Sequence, residues 1–194
     1  MLLNLEKGTV GYIREYKKRY GLIALILFLI IVAMVVGIYL ILGTAKHIAV
    51  AVPILLSLPL GKIFILWLIV AKYHSISDED AERIREQLEN RKNICILYDM
   101  ALSSYESVSY APCIVIDQGN VYLVWGGATE KDYKAEDQRA YVQSLIDKSG
   151  YSYQAITVTD VDALIEAILQ AEELADDLQE HCDHLKQRLL DVCV

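Results

Sequence analysis

Few side chains in these 194 residues have the type and spacing that chemistry demands, and the most demanding is Lys62. It stands ten residues before Lys72 in an otherwise uncharged run from Ile48 to Ala71, which places its ammonium about 15 Å from that end along a helix axis. At that depth of a membrane a lysine costs about 2.5–3.5 kcal/mol on insertion scales, so it must snorkel, bind a partner or face water. Pro53 and Pro59 share the segment, and Pro59 frees the carbonyl of Leu55 from helical bonding. Lys62, Pro59 and Pro53 are therefore the candidate intramembrane functional residues.

The groups a hydrolase would need are scattered. Asp99, Glu106 and Asp117 stand apart from one another, so solvation or capping is their expected role. The hairpin Cys113–Asp117 and Val121–Trp125, followed by a helix and a strand, resembles the restriction-endonuclease-like core. There an acid on one strand and an acid-x-Lys on the next hold a metal and organise its water. Asp117 fits the first position, but Trp125 and Gly127 stand where the acid and Lys belong, and Asp132-Tyr133-Lys134 spells the pattern inside an expected helix. The net charge of −14 over residues 75–194 argues against a nucleic-acid partner. His181, Cys182 and His184 make too small a cluster for a metal without distant ligands. Gly126-Gly127-Ala128-Thr129 lacks the lysine of a phosphate loop. Cys95, Cys113, Cys182 and Cys193 contain no C-x-x-C pair and read as reduced structural thiols. No catalytic, cofactor-binding or metal residue is assigned, and no cofactor is expected.

Two apolar runs position Lys62. Leu22–Leu42 holds 21 residues without a charge, Gly43–His47 turns the chain, and the second run follows. Both are long enough to cross a bilayer, so spans are expected at 21–42 and 48–71. The first is also too long for the apolar core of a cleavable signal peptide. Residues 1–74 carry net +6. Five basic residues precede the first span, and Lys72, Arg83, Arg85, Arg91 and Lys92 follow the second, which predicts both termini on the cytoplasmic side of a bacterial cell membrane. Tyr12, Tyr16 and Tyr20 recur among Arg14, Lys17, Lys18 and Arg19, so residues 1–20 read as a basic interfacial segment. Ala33 and Gly37 form a small-xxx-small pair suited to helix approach.

Beyond the membrane, Ser77 and Asp80 resemble a capping box. The helix they open, over 77–92, reads as a charged stalk or a loosely docked helix, with a thin stripe of Ala81, Ile84 and Leu88 and an Arg85–Glu89 pair. Ile94–Tyr98 is strand or helix by periodicity alone. The hairpin turns at Gln118-Gly119-Asn120, a helix from about Glu130 to Lys148 stops at Gly150, and Tyr153–Val158 is a strand. A terminal helix is expected over 160–192, with Val161, Leu164, Ile168, Ala171, Ala175, Leu178, Cys182, Leu185, Leu189 and Val192 in 3,4 spacing. Val161–Leu169 is broad enough to cover a sheet. From Ala171 through Ala175, Leu178, Cys182, Leu185 and Leu189 the face narrows to a seam, which either joins another helix as a coiled coil or lies on its own domain. The expected fold is a membrane α-helical hairpin plus a small cytoplasmic mixed α/β domain, 93–194, ending in a long amphipathic helix.

The basic Tyr-rich start, the two spans and the run Leu97-Tyr98-Asp99 through Ser104-Tyr105-Glu106 are similar to a group of small two-span membrane proteins of Gram-positive anaerobic bacteria, over about residues 12–169. That resemblance implies the layout and a bacterial cell membrane, and carries over no activity. The expectation is a non-enzymatic, membrane-tethered interaction or sensory domain. The alternatives are an oligomeric membrane effector gated by its soluble part, and a catalytically degenerate nuclease-like fold. Expected partners are the lipid bilayer, a second copy through the terminal helix or the spans, and proteins.

Overall fold

The computed structural model describes residues 6–43, 48–103, 108–125, 135–171 and 179–193. The chain forms two compact units, Arg14–Lys72 and the combination of Met1–Ile13 with Tyr73–Val194. In the first, α1 (Tyr12–Leu42) is followed by a 3-10 turn (Ile48–Val50) and α2 (Ala51–Ala71). Both helices are long and apolar enough to cross a membrane. Leu40, Ile41, Leu55 and Leu58 are 64–84% exposed, a surface that only an apolar medium or partner covers cheaply. Helical structure starts at Tyr12, so the latter part of the stretch read as interfacial is the opening of α1.

Pro53 falls in the first turn of α2, where its missing N–H is not needed. Pro59 lies inside the helix, which continues past it to Ala71, so the prolines do not break the segment. A Cβ at Gly37 would meet nothing within 4 Å, whereas one at Gly21 would come within 3.1 Å of Trp67 Nε1. The helices thus approach at Gly21, not at the Ala33–Gly37 pair. The intervening turn, 44–47, lies outside the described residues.

The second unit contains α3 (Asp78–Leu88), β1 (Ile94–Ser103), β2 (Val108–Asp117), β3 (Asn120–Val124), α4 (Ala135–Ser149), β4 (Gln154–Val158), α5 (Val161–Gln170) and α6 (Gln179–Val192). The sheet order is β1-β2-β3-β4, an antiparallel meander with β4 added parallel to β3. Parallel strands need a crossover, and α4 supplies it. Gln118 (φ +40) and Gly119 (φ +94) form a two-residue turn, so Asn120 pairs with Asp117 as a strand residue. On one sheet face Ile84, Leu88, Val115, Tyr122, Leu164 and Ile168 form a continuous core. Strand alternation turns Cys95, Leu97, Ile114 and Ile116 to the other face, where α6 packs on β1 and β2.

Two expectations are corrected. The helix after the two long apolar helices is docked and not a stalk: Ile84 and Leu88 are fully buried, because three apolar residues on one stripe suffice when the sheet and α5 receive them. Its Arg85 pairs with Glu82 rather than Glu89, and Arg83 reaches Asp162 on α5. Nor is there one helix over 160–192, since α5 ends where Ala171 turns extended (ψ 132°). A single rod cannot cover both faces of a four-stranded sheet. Breaking it lets α5 serve one face and α6 the other, so Cys182, Leu185 and Leu189 are buried within their own domain instead of forming an open seam. Ala171 is half-buried at the break, while Ala175 and Leu178 lie outside the described residues.

Candidate functional site

Two adjacent residues of β1 hold both chain segments that flank the helical hairpin. The Tyr98 N–H donates to the Gly8 carbonyl at 3.0 Å, fixing the stretch that leads into α1. Position 8 must be glycine twice over. Its φ is +80°, and a Cβ there would lie 2.7 Å from Leu97 Cδ2 and 3.1 Å from Leu190 Cδ2. Lys7 donates to the Cys193 carbonyl, joining this stretch to the end of α6.

Next along β1, the fully buried Asp99 carboxylate binds the segment that leaves α2. Oδ1 accepts from the Ile76 N–H at 2.9 Å and the Tyr110 hydroxyl at 2.8 Å, and Oδ2 accepts from Ser75 Oγ. The Tyr73 ring stacks on Tyr110 at 5.1 Å, and its hydroxyl donates to the Val108 carbonyl. Asp99 has φ +52°, a left-handed conformation that Asp tolerates better than most residues. The register steps from Tyr98↔Cys113 to Met100↔Ala111, leaving Asp99 beside Pro112, which has no N–H to offer a ladder. Burial, then the Asp99 charge, pushes the Tyr110 hydroxyl far above its ordinary value, so it stays a donor. Three donors thus converge on one carboxylate and tie the segment that leaves α2 to β1.

The other singled-out residues are occupied structurally. Asp117 is 1% exposed, with the Arg91 Nε 3.1 Å from its Oδ2, and Arg91 also donates to the Ala171 carbonyl at 2.7 Å. β3 reads Asn-Val-Tyr-Leu-Val, so that strand offers no second carboxylate to Asp117. Asp132-Tyr133-Lys134, Gly126–Thr129 and Glu106 lie outside the described residues. Cys182 of α6 and Cys95 of β1 face each other with their Cα atoms 6.2 Å apart, placed to form a disulfide, a pairing that the missing C-x-x-C spacing did not reveal. Cys113 and Cys193 are buried and stand outside that pair. His181 and His184 flank the Tyr151 ring at 4.4 and 5.5 Å. Among the described residues no group of three or more His, Cys, Asp or Glu could hold a metal. Lys62 and Pro59 are exposed on α2, and Pro53 is buried.

Beside the junction lies a cleft of about 1010 Å³ between residues 6–10, α3, β1 and α6. Glu6, Lys7, Glu82, Arg85, Lys186 and Asp191 intersperse both signs of charge around Tyr98. The junction escaped sequence reading because Asp99 looked isolated. Its partners are 11 to 24 residues away, and only folding brings them to it. No family model matches the chain, and no curated protein or solved structure is significantly similar to it.

Proposed function

We propose that this is an integral membrane protein whose helical hairpin tethers a non-enzymatic interaction or sensory domain on the cytoplasmic side, with both termini there. The observation that carries the reading is the convergence of both hairpin-flanking segments on Tyr98 and Asp99. β1, which holds both segments, also floors the mixed-charge cleft. The test is crosslinking in native membranes followed by identification of what is captured. Other proteins that are lost when Lys186 and Arg85 are reversed to Glu support the adaptor reading, and recovery of this chain alone counts against it.

The second reading, an oligomeric membrane effector, is favoured by the exposure of Lys62 on α2, which leaves a costly ammonium for another chain or for water. It requires ion leakage on overexpression that disappears in Lys62→Leu yet persists when residues 161–194 are deleted. No leakage from the intact chain rejects it.

A further inference from the structure

Within the helical unit a crevice of about 540 Å³ runs between α1 and α2, lined by Gly21, Ala24, Phe28, Gly61, Phe64 and Trp67. Ser57 also lines it, but its hydroxyl is spent on the Ile54 carbonyl at 2.6 Å. With no polar group to hold water, the crevice is a place for hydrocarbon. From Gly21 to Phe28 and from Ser57 to Trp67 it extends about 10–15 Å along the helices. Its mean cross-section is therefore about 40 Å², roughly half that of an α-helix with its side chains, about 10–12 Å across. An extended chain fits where a third helix does not.

One end of the crevice is chemically distinct. Trp67 Nε1 donates to the Lys17 carbonyl at 3.1 Å, and Arg14, Glu15, Lys17, Lys18 and Arg19 give that stretch net +3. Lys72 lies five residues beyond Trp67. We propose that the crevice is a binding site for one acyl chain of an anionic phospholipid, whose headgroup is held by the basic stretch at the start of α1. Tryptophan and basic residues mark the interface where such a headgroup lies, and hydrocarbon is the phase in which the rest of the molecule would sit. The site rests on the membrane reading above, and it would make the hairpin's geometry responsive to lipid composition.

The test uses the full chain carrying Trp125→Phe, so that Trp67 is its one tryptophan, reconstituted into phosphatidylcholine vesicles containing chain-brominated phosphatidylglycerol or chain-brominated phosphatidylcholine. Half-maximal quenching of Trp67 is expected at about fivefold lower mole fraction of the anionic lipid, the factor contributed by about one lysine near an anionic leaflet. Gly61→Leu should abolish that preference. A Cβ at Gly61 meets nothing within 4 Å, so the leucine fills the crevice without disturbing the helices. Equal quenching by both lipids, or a preference that survives Gly61→Leu, overturns the site while leaving the membrane reading intact. Absence of quenching by either lipid shows that the helices are not in the bilayer and removes both.

Discussion

At the scale of single residues, Asp99 is where the largest effects should concentrate. Asp99→Ala strands the buried Ile76 N–H and Tyr110 hydroxyl, and should cost about 2–4 kcal/mol in chemical denaturation of the solubilised protein. Asp99→Asn keeps an acceptor oxygen and tolerates the positive φ, so it should cost clearly less; equal losses would show that the conformation, not the hydrogen bonds, is what Asp99 supplies. Arg91→Met leaves the Asp117 carboxylate buried without its cation and should cost about 3–5 kcal/mol, while the double change Arg91→Met with Asp117→Leu should recover much of it. Asp160 caps α5 by accepting from the Ala163 N–H at 2.8 Å, and that bond, followed by the Thr159 hydroxyl, holds its carboxyl below the ordinary 3.8. A depressed carboxyl stabilises fully above its unfolded value and loses that contribution as pH falls through its folded value. The stability advantage of wild type over Asp160→Asn should therefore be constant above about pH 4 and shrink below it.

At the scale of elements, α6 is the informative one. Leu185 is 2% exposed within its own domain, so Leu185→Ala should lower the stability of the monomer by about 2–5 kcal/mol. A variant that loses only self-association would restore the seam between chains. A Cys95–Cys182 link closes a separation of 87 residues, and a crosslink of that span is worth about 4.6 kcal/mol in the chain-entropy account. Reduction should accordingly raise hydrogen exchange in α6 first, while the β1–β2 amides stay protected. Burial pushes the Cys113 thiol far above its ordinary value, so alkylation should reach Cys113 only when the domain is unfolded by denaturant.

At the scale of the whole molecule, orientation and redox state test each other. An impermeant thiol reagent added to intact cells should label Ile48→Cys, while Glu79→Cys should react only after the membrane is opened. In the cytoplasm the Cys95–Cys182 pair should then be reducible by the glutathione pool. A pair trapped fully oxidised in living cells, together with outside labelling at Glu79→Cys, would place the domain on the opposite side. The sequence by itself determined the two long apolar helices, the capped start of α3, the β2–β3 hairpin and the helix that Gly150 ends, because each is written in local composition, spacing or turn chemistry. Only the tertiary structure decided that β1 is a ten-residue strand, that α3 is docked, that α5 and α6 divide the two sheet faces, and that Asp99 clamps the chain leaving α2. Those outcomes depend on which distant residues share the second unit's core. Lys62 stood out in the sequence because a charge in an apolar run is conspicuous in one dimension, whereas Asp99 acquires its meaning only from the three donors that folding brings to it.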